Sequence, residues 1–170
     1  MRRIAIIILI CCAAVLMTGV VDAAKPAIRY DLTGWRTLDM TSSRIVASGG
    51  APVVTSSDGK LRLLAGKIVL TLTQEKNKKN ITTAEAIGAV RLSIKQDANQ
   101  TIQATCARAV IRPAQDRAEL SGNVIVKSWD KKRYSAPTTL TGDTVTLYLK
   151  DRRIVASSSP SKSSFSANPK

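Results

Sequence analysis

The side chains able to do chemistry in this 170-residue sequence are mostly cations gathered in short clusters. Lys76, Lys78 and Lys79 form one, Lys131, Lys132 and Arg133 a second, and Lys150, Arg152 and Arg153 a third. Such clusters pair with phosphates or carboxylates. The plainer explanation is that lysine and arginine suit turns and discourage edge-to-edge strand pairing. The chain holds 26 Lys and Arg, 12 Asp and Glu and no histidine, for a formal net charge of +14. Without histidine there are no Ser/His or Cys/His triads and no histidine metal sites. Cys106 has no histidine base and reads as a small buried strand residue. Asp143, which follows Gly142, reads first as an acid satisfying a bend and second as a ligand-facing carboxylate. No catalytic residue, metal or cofactor is expected, so the protein is not expected to be an enzyme.

The charge favours anionic partners such as nucleic acid, acidic lipid headgroups or phosphorylated glycans. The N-terminus narrows that choice. Arg2 and Arg3 precede an apolar run, Ile4 to Val21, and then the small-residue boundary Val21-Asp22-Ala23-Ala24. This is the pattern of a secretory signal, residues 1–23, cleaved after Ala23 or Ala24. The alternative is an uncleaved anchor helix over residues 4–21, near the short limit for crossing a bilayer. Export argues against nucleic acid. Removal of Arg2, Arg3 and Asp22 leaves 24 basic and 11 acidic residues, net +13, and Cys106 as the single cysteine. No intramolecular disulfide can form, so stability rests on the sheet.

The remainder alternates with a period of two and shows almost no helical periodicity. Turn-rich clusters at 41–43, 75–80, 113–116 and 150–153 interleave with others at 56–59, 96–100 and 130–133. A chain reversing at each cluster places one set on each edge of an antiparallel meander. The segments between are mostly 12 to 16 residues long, against about 5–6 for an ordinary strand. Arg44-Ile45-Val46-Ala47-Ser48 recurs 109 positions later as Arg153-Ile154-Val155-Ala156-Ser157, a sign of internal repetition. Gly34, Gly49, Gly50, Gly66, Gly88, Gly122 and Gly142 each fall near the middle of a long segment. A row of mid-strand glycines is a crease, where strands bend or pass close to a facing wall. A meander folded along it becomes an all-β, V-shaped β-jelly roll of two facing sheets, each long segment supplying two strands. This domain is expected over 24–158, with a Ser-rich, disordered tail at 159–170. Alternation turns Ile68, Leu70, Val90, Leu92, Val124, Val126, Val145 and Leu147 inward. The 101–112 segment is ambiguous, with Arg108 and Arg112 on one parity and Ala107, Ala109 and Ile111 on the other.

The stretches "AEAIGAVRLSIK", "AELSGNVIVKS" and "LTGDTVTLYL" resemble the repeated signature of the lipopolysaccharide-transport periplasmic bridge family, the organic-solvent-tolerance-A-like domain. The resemblance runs from about residue 60 to 155 and rests on recurrence of a short motif. The 101–112 segment departs from it, with Thr105-Cys106 in place of Gly-Asp. The resemblance implies a folded-over β-jelly roll with an apolar groove for acyl chains. It also implies head-to-tail stacking of copies, and partners among other envelope transport proteins of similar fold, bridging inner and outer membranes.

The expected function is therefore that of an exported, non-catalytic periplasmic protein that binds or conducts lipopolysaccharide or a similar anionic amphiphile. The eight inward residues would line the groove. The rim would be Lys76, Lys78, Lys79, Lys131, Lys132, Arg133, Arg152 and Arg153. The rivals are a structural envelope module of the same fold without cargo, and a member anchored in the inner membrane by residues 4–21.

Overall fold

A computed structural model describes residues 29–75, 78–130, 135–151, 153–157 and 164–166. The expected signal or anchor lies outside them. Among the described residues no helix is long and apolar enough to cross a membrane.

Among the described residues twelve strands form one antiparallel sheet that does not close. They are β1 (Tyr30–Thr33), β2 (Thr37–Met40), β3 (Arg44–Ser48), β4 (Val53–Ser56), β5 (Leu61–Leu64) and β6 (Lys67–Glu75), then β7 (Lys78–Lys95), β8 (Gln100–Arg112), β9 (Arg117–Asp130), β10 (Thr138–Tyr148), β11 (Arg153–Ser157) and β12 (Ser164–Ser166). Pairing divides the sheet into two halves. One runs β2-β3-β6-β7-β8-β9-β10-β11, using the N-terminal parts of β7 and β9 and the C-terminal parts of β8 and β10. The other runs β1-β4-β5-β7-β8-β9-β10-β12 through the remaining parts. The V-shaped β-jelly roll read from the glycines is the fold observed.

The glycines do line up. Gly66 and Gly88 touch through a 2.8 Å hydrogen bond from the Gly66 N–H to the Gly88 carbonyl. Gly122 lies against Ala107 of β8, and Gly142 is paired with Val124 of β9, two residues from Gly122. The strands turn the corner in two ways. β7 uses two successive left-handed residues, Gly88 and Ala89, and β9 uses Gly122 and Asn123. In each case the bulge adds one residue relative to β8, and the inward parity of the bulged strand runs on unchanged, so Ala84, Ala86, Val90 and Leu92 are all buried. In β8 the parity switches at the corner: Ile102, Ala104 and Cys106 are buried on one side, Ala109 and Ile111 on the other. That switch explains why the 101–112 segment reads ambiguously. β10 switches likewise, with a register shift between Gly142 and Thr144.

One expectation needs correction. The long segments do not all divide into two strands: β7, β8, β9 and β10 stay hydrogen-bonded through the bend, with 18, 13, 14 and 11 residues. A local bulge leaves a strand continuous. Nearer the N-terminus the corner Gly49-Gly50-Ala51 has three positive φ values in a row, followed by Pro52, which has no N–H, and there the ladder breaks. Ser164–Ser166, inside the expected Ser-rich tail, forms β12, with Phe165 opposite Leu140, and the other residues of 159–170 lie outside the described residues. The edge of β10 gives that short segment backbone partners.

The inner faces merge into one core. Its most enclosed members include Leu63, Ile68, Leu92, Leu120, Val124 and Leu147. Ile125, which interrupts the alternation of β9, points outward and is 42% exposed. The outer face carries ion pairs: Arg108 to Glu85 at 2.7 Å, and Arg112 and Arg117 to Glu119 at 2.8 and 2.5 Å. These are partly exposed, and pairs of that kind contribute little each.

Gly122 combines φ +79° with a Cβ position 2.8 Å from the Ala107 methyl, so a side chain there is strained and also clashes. Gly122→Ala is expected to cost about 3 kcal/mol, part of it recovered in the Gly122→Ala, Ala107→Gly double variant. Gly59 has a similar φ, +67°, but open space around it, and Gly59→Ala is expected to cost about 1 kcal/mol. Urea unfolding of the variants measures the differences.

Candidate functional site

Folding the meander along its crease brings the two sets of turns face to face, as the lips of the V. Between them, toward the N-terminal side, lies a cavity of about 500 Å³. That is within the range of ligand pockets, roughly 300–1,000 Å³. Val54, Leu61, Leu63 and Ile94 form one wall; Leu70, Ile81, Ala84 and Ile111 form the other. One lip carries Asp58, Lys60, Lys95 and Gln96, the opposite lip Pro113, Asp116, Leu149 and Lys150. The arrangement is an apolar slot under a polar, lysine-bearing entrance.

The first lip is built by a short-range network. The Ser56 hydroxyl, buried at the end of β4, donates to Asp58 Oδ1 at 2.5 Å and accepts the Leu61 N–H at 2.9 Å. Asp58 also accepts the Lys60 N–H at 3.0 Å, and its carboxylate lies 3.7 Å from the Lys60 ammonium. The Ser56 hydroxyl above all, then the Lys60 N–H, holds the Asp58 carboxyl below the usual carboxylate range. Tyr30, which also lines the cavity, has its phenol pushed up by burial and then by the Asp58 charge. The second lip is fixed by the Leu149 N–H bonding the Asp116 carbonyl at 2.7 Å. The lips meet where the Gln96 amide donates to the Leu149 carbonyl at 3.5 Å.

The residues assigned from sequence fall in different places. Leu70 lines the cavity. Ile68, Val90, Leu92, Val124, Val126, Val145 and Leu147 lie deeper in the V and are almost wholly enclosed between the halves. Arg153 is exposed, and its guanidinium stacks 4.1 Å from the centre of the Tyr148 ring. Lys78 and Lys79 belong to the first residues of β7. Lys76, Lys131, Lys132, Arg133 and Arg152 lie outside the described residues. Lys60 and Lys95 are at the entrance although neither is in the expected rim. Their signal was their place next to turns that share one edge. Cys106 is buried at the crease, and burial pushes its thiol up, away from a reactive thiolate. Among the described residues no group of three or more His, Cys, Asp or Glu could hold a metal ion.

Fold and site together define a folded-over β-jelly-roll protein with an apolar cavity between its two lips. The family model for LptA/(LptD N-terminal domain) LPS transport protein matches residues 35–153, and the chain belongs to that family. Its members are transport components without catalytic activity, and this protein is not an enzyme. Among solved structures, the chain is similar to LptH from Pseudomonas aeruginosa, described as the LptA homologous periplasmic component of the conserved lipopolysaccharide transport device. The two share 15% identity and a TM-score of 0.65, over 84% of this chain and 96% of that one. At that identity the likeness is one of fold. No curated protein matches the sequence.

The lowered Asp58 pKa carries a sign. A carboxylate held below its ordinary value stabilises the fold above the unfolded pKa, about 4, and that contribution fades as pH falls through the folded value. Asp58→Asn is therefore expected to lower Tm at pH 7 and to make a smaller difference at pH 3. Paired thermal melts at the two values check this.

Proposed function

We propose that this protein holds lipopolysaccharide, or a similar anionic glycolipid, within its folded sheet and passes it between the inner and outer membranes from a periplasmic position. The observation that carries the reading is the apolar cavity opening between two facing lips, with lysines on both. The mechanism is passive. Each acyl methylene moved from water into the slot gains about 0.8 kcal/mol, while the charged head stays at the lips. Beyond the cavity, the walls are Ile68, Val90, Leu92, Val124, Val126, Val145 and Leu147. Further chains reach these residues by parting the two halves.

The sheet's open ends support a role in a chain of proteins. β1 and β2 stand at one lateral end, β11 and β12 at the other. An unpaired strand edge takes another strand through main-chain hydrogen bonds. Copies joined head to tail, or other envelope proteins of similar fold, would extend the slot. A second reading, a structural module without cargo, draws on the enclosure of most of the interior: Leu120 and Val145 have no exposed surface.

Filling the cavity separates the two. Leu61 and Ile81 are half-buried and line it. Leu61→Trp and Ile81→Trp are expected to change unfolding free energy by less than about 2 kcal/mol and to weaken lipid A binding at least tenfold. Displacement of a fluorescent fatty acid from the purified protein measures it. Binding that is absent in the unsubstituted protein, or unchanged in both variants, sinks the cargo reading.

A further inference from the structure

We propose that Lys95 and Lys150 form a two-lip clamp for one phosphate, and that the cavity behind them takes a single alkyl chain. The proposal rests on the amphiphile reading above and names the head group and the size of the part bound first.

The clamp follows from where the lips touch. Gln96 and Leu149 join them by one hydrogen bond of 3.5 Å, and each has a lysine next to it in sequence: Lys95 on one lip, Lys150 on the other. Both line the cavity and both are exposed. Among the described residues neither takes part in an ion pair. Lys60 is adjacent, its carbonyl accepting the Lys95 N–H at 2.7 Å, but its ammonium faces Asp58. Asp58 is thus already matched, and Asp116 is the other acid lining the cavity. Two exposed cations, one on each lip beside the contact between them, suit a tetrahedral phosphate, which carries close to two charges and offers oxygens in several directions. A carboxylate carries one charge and two oxygens in one plane, and matches two lysines less well.

The volume sets the tail. A methylene occupies about the same space as a water molecule, roughly 30 Å³. The 500 Å³ cavity therefore holds about 16 methylenes, which is one long chain. A lipid with several chains places one here first. The rest have to separate walls that are already in contact.

Calorimetric titration of the purified protein with alkyl phosphates, and with the neutral alcohols of the same lengths, tests both parts. Affinity for the phosphates is expected to rise roughly fourfold per methylene and to stop rising near 16 carbons. Lys95→Ala and Lys150→Ala are each expected to weaken dodecyl phosphate binding about tenfold and to leave dodecanol binding within twofold. Lys67→Ala, on an exposed lysine of β6 away from the lips, should change neither. Circular dichroism confirms that the variants fold. Phosphate affinity within twofold of the unsubstituted protein in both lip variants overturns the clamp. An equal loss for phosphate and alcohol does the same. Affinity that keeps climbing past 20 carbons overturns the single-chain limit. Failure of the unsubstituted protein to bind phosphate or alcohol defeats the amphiphile reading itself, and the clamp falls with it.

Discussion

The structure depends on the close approach of backbones along one crease. Strands as long as the 18-residue β7 cannot lie flat in a small domain without exposing one apolar face. Bending them lets that face cover itself, but each strand must pass its neighbour at the corner with no side chain in the way. Gly66 and Gly88 meet there through their main chains, and Gly122 leaves room for the Ala107 methyl. The corner positions are therefore small residues, or left-handed ones such as Ala89 and Asn123, where the conformation is itself a cost. Burial of large aliphatic side chains on both inner faces offsets that cost.

The rest follows from this bend. A sheet folded on itself keeps both lateral ends open, unlike a barrel. It also brings its two sets of turns together as lips. Near the crease the two walls pack directly, and Val90, Cys106 and Val124 meet at its foot. Toward the lips on the N-terminal side the halves diverge and leave the cavity. One geometry thus supplies a closed core for stability, a slot for an apolar chain, and edges able to pair with other strands.

Much of this was legible in the sequence because glycine position reports backbone geometry directly. Seven mid-segment glycines and two interleaved sets of turns were sufficient to place the crease and the lips. Alternation also found the inner face in β7 and β9, whose parity runs unchanged through the bulge. It became ambiguous in β8, where parity changes at the bend and no glycine marks the place. Charge was harder to place. Arg153 stands in a turn-adjacent cluster, yet its guanidinium is taken up by Tyr148. Lys95 looks like any strand-end lysine until the fold brings its neighbour Gln96 against Leu149 of the opposite lip. Which deep residues face a cavity and which face one another depends on how far the halves diverge. That is a property of packing between residues remote in sequence, and alternation within a strand does not encode it.

The central claim is that the inside of the folded sheet, not its outer face, receives the amphiphile. Photolabelling answers this most directly. An alkyl phosphate with a diazirine near the end of its chain would be activated in complex with the protein and the modified residues mapped by mass spectrometry. The account predicts label on Leu61, Leu63, Leu70 and Ile81, which line the cavity. Label concentrated on exposed apolar side chains of the outer face, such as Ile87, Ile125 and Trp129, would contradict it.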